Sequence, residues 1–103
     1  MGKVESSIIG NLKEMSPLYL EVVNESFMHA VPKDSETHFK VVVVSDEFEG
    51  LRLVNRHKMI YGLLSEQLAG PVHALALHTF TAKEWGQEKQ KSPKSPQCRG
   101  GER

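Results

Sequence analysis

Five histidines and one cysteine are the residues of this 103-residue chain whose chemistry could go beyond packing. Imidazoles titrate near neutral pH and bind transition metals, so His29, His38, His57, His73 and His78 are the candidates for proton or metal chemistry. Nucleophilic catalysis needs an activated Ser or Cys beside a base. The sequence has no G-x-S-x-G elbow, and Cys98 sits alone in a Pro- and Ser-rich stretch. No Gly-rich phosphate loop is present either. Asp46, Glu47 and Glu49 crowd into one turn, SDEFEG, where water reaches them. These features argue against an enzyme. A single cysteine also excludes an internal disulfide and a metal cage built from the chain's own thiolates.

Two histidines stand out by position. His29 lies in the connection between two segments that read as strands, flanked by Phe27, Met28, Ala30 and Val31. That connection, residues 26–36, is longer than paired strands require, and such loops tend to carry function. His73 follows Gly70-Pro71 and opens a strand, which leaves its ring edge accessible at the strand mouth. Each has an ordinary alternative that pattern alone favours. For His29 it is a solvated loop imidazole; for His73 it is a partly buried ring bonded to a carbonyl, on the face of Leu75 and Leu77. His38 and His78 read as surface or edge residues. Arg56-His57-Lys58 opens the main helix and is either a contact patch for an anionic partner or a solvated face, its cations mildly opposed by the helix dipole.

The elements that must position these residues follow from periodicity. Val4, Ile8, Ile9, Leu12 and Met15 share one helical face over residues 4–15, and Ser16-Pro17 stops that helix. Residues 18–25 read as a strand, and so do 37–45, where four successive valines suggest a central strand covered on both faces. Gly50 is the natural positive-φ position of the next turn. A helix is expected from about Asn55 to the stop at Gly70-Pro71, then a strand over 72–80, then a short helix capped by Thr81. The resulting order, α-β-β-α-β-α, implies an α+β domain over residues 1–88. Its three-stranded mixed sheet would have one antiparallel and one parallel pair and helices packed on one face. Residues 89–103, KQKSPKSPQCRGGER, lack apolar periodicity and are expected to be disordered.

Charge narrows the function classes. The chain is neutral overall, but residues 1–82 hold seven basic and ten acidic residues, so the expected domain is slightly acidic. That disfavours a grip on nucleic acid, which relies on cations facing phosphates. No window approaches the roughly 20 apolar residues of a membrane span, consistent with a soluble protein. The opening MGKVESSIIG has neither the apolar core of a secretory signal nor the arginines of a transit peptide.

The cluster VVVVSDEFEGLRLVNRHKMIYGLL followed by GPVHALAL resembles the BolA family. The shared features are a strand ending in V-S, the F-x-G turn, an R-H-[RK]-x-[IV]-Y helix, and V-H-A-L in the last strand. The likeness runs over about residues 4–80. NES followed by His29, and Trp85 with the downstream PQCRGG, are similar to the eukaryotic type-1 branch. Lys58 departs from the arginine usual in the triplet, which keeps the charge and loses bidentate geometry.

The resemblance implies a fold like the class II KH domain, αββαβ in outline. It implies a non-enzymatic role in iron–sulfur cluster assembly and delivery to apo-proteins, in heterodimer with a monothiol glutaredoxin. The chain is then a monomer when alone, and a [2Fe–2S] cluster is shared with the glutaredoxin cysteine and glutathione. On this side the ligands would be His73 at the strand mouth and His29 in the loop. Arg56, His57 and Lys58 are implied as glutaredoxin contacts together with the third strand. The compartment implied is the mitochondrion, with the cytoplasm as alternative. The competing expectation is a KH-like nucleic-acid-binding transcriptional regulator, although the G-x-x-G loop of KH domains is missing.

Overall fold

The computed structural model describes residues 2–26 and 35–87 of the chain. His29 and residues 89–103 therefore lie outside the described residues. The first helix, α1 (Lys3–Leu12), runs on into a 3-10 turn at Lys13–Met15. It buries the apolar stripe read from the sequence, with Ile8, Leu12 and Met15 all in the core. Ser16 takes a left-handed conformation (φ 49°) ahead of Pro17 and ends the helical run. Strand β1 (Tyr19–Asn24) then pairs antiparallel with β2 (His38–Val44), Val22 opposite Val41.

Ser45 turns the chain out of β2. Its hydroxyl accepts from Glu47 N–H at 3.1 Å and donates to the Met15 carbonyl at 2.8 Å, so one side chain caps the 3-10 turn Asp46–Phe48 and ties it to α1. Gly50 has φ 77°, as its place in the turn requires. The expected single helix is two: α2 (Leu53–Leu63) and α3 (Ser65–Ala69), separated at Leu64. Asn11 Nδ2 donates to the Leu63 carbonyl at 2.9 Å, supplying that backbone acceptor with a partner where the helix breaks. Strand β3 (Ala74–Phe80) returns parallel to β2, Leu77 beside Val41, and α4 (Ala82–Gln87) closes the described chain. Strand order is β1-β2-β3.

The four valines of β2 explain the layering. Val41 and Val43 face α1, α2 and α3 in a core with Phe39, Phe48, Ile60 and Leu64. Val42 and Val44 point the other way, under Trp85 of α4 and beside Phe80. Three helices thus pack on one face as expected, while α4 caps one end of the other. Thr81 and Glu84 form a reciprocal cap for α4: Glu84 N–H donates to Thr81 Oγ1 (3.2 Å) and Thr81 N–H to Glu84 Oε1 (2.9 Å). Among the described residues no helix is long and apolar enough to cross a membrane.

Candidate metal centre at the strand mouth

Parallel pairing puts the starts of β2 and β3 at the same end of the sheet, with His38 opposite Ala74. His73 lies just ahead of β3, where its N–H donates to the Thr37 carbonyl at 2.8 Å and the Ala74 N–H shares that acceptor at 3.2 Å. The backbone is thereby fixed while the side chain stays exposed. Sequence alternation placed His73 with Leu75 and Leu77. Instead it precedes the regular strand, and its ring stands edge-on to that of His38, centroids 6.3 Å apart.

His38 is half-buried, and its Nδ1 lies 2.8 Å from Thr37 Oγ1. From sequence alone it reads as a surface or edge residue. The signal that could have found it is the strand–helix–strand order, since a parallel crossover must set the first residue of β2 beside the first residues of β3.

The feet of the loop between β1 and β2 are clamped beside this pair. Ser26 Oγ accepts from both Thr37 N–H (2.9 Å) and His38 N–H (3.1 Å). Asn24 donates from Nδ2 to the Ser35 carbonyl and accepts from Ser26 N–H at Oδ1, each at 2.9 Å. Glu25 N–H donates to the His38 carbonyl at 2.7 Å. Glu36 turns toward α1, where its carboxylate receives Val4 N–H at 3.4 Å and Glu5 N–H at 3.1 Å. That anion meets the positive end of the helix dipole and joins the loop base to the first helix. Short polar residues at these positions serve the backbone, which explains the local sequences N-E-S and S-E-T.

The triplet Arg56-His57-Lys58 lies elsewhere and does not form one surface patch. Arg56 is buried. Its guanidinium grips Glu84 with two bonds of 2.7 and 3.0 Å, donates from Nε to the Leu51 carbonyl at 2.9 Å, and lies 5.6 Å from the Phe48 ring centroid. The hydrogen bond to Glu84 raises the Arg56 pKa further and holds Glu84 below the usual carboxylate range. His57 is half-buried, and burial lowers its pKa. Lys58 alone of the three is exposed. The sequence could not reveal this division, because it depends on α4 returning to present Glu84.

Arg56 also reaches the Thr79 carbonyl (3.4 Å), near the far end of β3 from His73. A shallow cleft of about 400 Å³ opens there, lined by Leu53, Arg56, Thr79, Phe80, Glu84 and Gln87. It is remote from the imidazole pair, so this cleft and the two imidazoles lie at opposite ends of β3.

The donor set at the mouth suits a transition metal or an iron–sulfur cluster with mixed ligands, because imidazole serves both. Among the described residues no group of three or more His, Cys, Asp or Glu is placed to hold a metal. A metal held here would need donors beyond these two imidazoles.

A family model described as BolA-like protein matches residues 12–84. The chain is 54% identical over 90 residues to the DNA-binding transcriptional regulator BolA of Vibrio cholerae, covering 87% of this chain and 85% of that one. It is 49% identical over 102 residues to human BolA-like protein 1, covering 98% and 74% respectively. The solution structure of BolA1 protein from Mus musculus superposes with a TM-score of 0.82 at 48% identity, over 97% of this chain and 81% of that one.

Proposed function

This chain belongs to the BolA-like protein family, and from that premise we propose that it shares a [2Fe–2S] cluster with a monothiol glutaredoxin. The cluster is thereby assembled for, or delivered to, iron–sulfur apo-proteins. The observation that carries this reading is the exposed imidazole of His73, backbone-fixed at the strand mouth and free to meet a partner. His73 supplies one ligand and the loop residue His29 a second; glutaredoxin and glutathione bring the thiolates that this chain lacks at the site. The role is not enzymatic, the compartment is the mitochondrion or alternatively the cytoplasm, and the chain is a monomer when alone.

When bound, the cluster supplies an exchangeable iron–sulfur unit. The chain's part is to hold neutral imidazole donors at one end of a rigid sheet. Ser26, Asn24 and Glu36 brace the two ends of the connection that carries His29. Glutaredoxin contacts belong around the mouth and the beginning of β3. Of the helix triplet only Lys58, with the accessible edge of His57, can join a surface contact; buried Arg56 supports it from within.

Visible circular dichroism tests the reading. Adding the chain to glutathione-bound, cluster-loaded monothiol glutaredoxin should produce a new heterodimer spectrum, and His73→Ala should abolish it. His29→Ala then reports whether the loop provides the second ligand. No spectral change with the unaltered chain defeats the shared-cluster reading.

Nucleic-acid binding is the second reading, favoured by the bacterial relatives named as DNA-binding transcriptional regulators. Phosphate contact would fall to exposed cations such as Lys58 and Arg52 rather than to Arg56. A salt-sensitive mobility shift with duplex DNA, lost in Lys58→Glu, would establish it.

A further inference from the structure

A second cleft, of about 390 Å³, opens between the 3-10 turn that ends the first helical run, the turn after β2, and α2. No imidazole lines it, and of its residues only Lys58 enters the cluster reading. We propose that this cleft docks a short cationic segment of another protein, in which Lys or Arg flanks an aliphatic side chain. The site needs neither glutaredoxin nor iron.

Two side chains hold its walls in place. Ser45 ties the Met15 carbonyl (2.8 Å) to the Glu47 N–H (3.1 Å), so the end of the first helical run and the turn after β2 are joined. Asn11 ties α1 to the Leu63 carbonyl of α2 at 2.9 Å. A partner therefore meets a formed groove and does not bear the cost of ordering it. The floor is apolar: Met15 is buried, while Met59 and Leu63 are half-buried against the core. Methionine has three flexible torsions and adapts to different aliphatic shapes, which suits a surface that receives a side chain.

Gly62 lies at the opening, within α2. Glycine is the poorest helix former after proline, so a helical glycine calls for a reason. The backbone does not supply one, because the φ of Gly62 is not positive. Packing does not supply one either, since a Cβ there would meet no atom within 4 Å. Its effect is to leave the mouth beside Lys58, one turn earlier, without a side chain, so that a partner's backbone can approach closely.

The rim sets the sign of the partner. Glu14 and Glu47 are exposed there against Lys58, and among the described residues none of the three is in an ion pair. Asp46 and Glu49 extend the acidic side along the turn. Cations on the partner would face these carboxylates while its aliphatic group covers Met59 and Leu63. An acidic segment would meet like charge and be turned away.

The test is selection of a random octapeptide display library on the full chain, then fluorescence anisotropy of the enriched peptide. Enriched sequences should share Lys or Arg beside Leu, Ile or Met. Gly62→Leu fills the mouth from an open position and should weaken binding about tenfold or more, with Tm unchanged or raised. Gly62→Ala should raise Tm and keep binding within about twofold, which separates helix propensity from occlusion. A Glu14→Lys/Glu47→Lys double variant should weaken binding about fivefold or more. Lys58→Glu should tighten it, the reverse of its expected effect on duplex DNA. Absence of a shared motif, an acidic motif, or binding indifferent to Gly62→Leu overturns the proposal. His73→Ala should bind the peptide as the unaltered chain does while losing the heterodimer spectrum, so the two readings fail separately.

Discussion

Arg56, His57 and Lys58 are consecutive in the chain and meet three different surroundings. Arg56 is held by a carboxylate, a carbonyl and an aromatic face; Lys58 is in water; His57 lies between them, its ring edge-on to Tyr61 at 6.5 Å. His57 Nε2 is buried with no hydrogen-bond partner among the described residues, and burial lowers its pKa. The unfolded chain protonates this residue near its ordinary value of about 6.5, whereas the folded chain resists until a lower pH. Its contribution to stability is therefore intact above about pH 6.5 and is lost as pH falls toward the lowered folded value. His57→Phe should flatten the dependence of Tm on pH over that interval. Parallel curves for the two proteins would rule out the burial effect.

At the scale of elements, two polar clamps fix what the hydrophobic pattern leaves loose. Ser26→Ala leaves two N–H groups without their acceptor at the foot of the loop, and should cost about 1–3 kcal/mol in urea unfolding. At the other end, Glu84→Ala strips buried Arg56 of its carboxylate and removes half of the α4 cap. Complete burial of the pair would predict about 3–5 kcal/mol, but Glu84 keeps 41% of its side chain exposed, so about 1–2 kcal/mol is expected. A loss below about 0.5 kcal/mol would mean that α4 is not held through this ion pair.

Across the whole molecule, the sheet separates two ends with different chemistry. Imidazoles gather where β2 and β3 begin; Arg56, Glu84 and the shallow cleft gather where β3 finishes. Seven residues of β3 at about 3.3 Å each set roughly 20 Å between them. Trp85 joins α4 to three strands, stacking on Tyr19 (5.0 Å), tilting against Phe80 (5.2 Å) and packing over Val42 and Val44. Trp85→Ala should cost about 3–5 kcal/mol by chemical denaturation, a large share of the net stability of a domain this size. A loss below about 1 kcal/mol would show that α4 contributes little to the fold.

Element order, the central valine strand, the Gly70-Pro71 stop and the mixed sheet were legible in the sequence, because apolar periodicity and turn chemistry act over a few residues. His73 was legible as a strand-mouth imidazole by the same local reading. The helix break at Leu64 was not, since it coincides with an Asn11 bond formed across 52 positions of sequence. Nor was the inward turn of Arg56, which meets a carboxylate 28 residues away, or the approach of His38 to His73. Local sequence determines which segments bury a face and where they stop. Which polar groups then meet is decided by tertiary pairing, because directional bonds of a few ångströms form only after distant segments have been brought together.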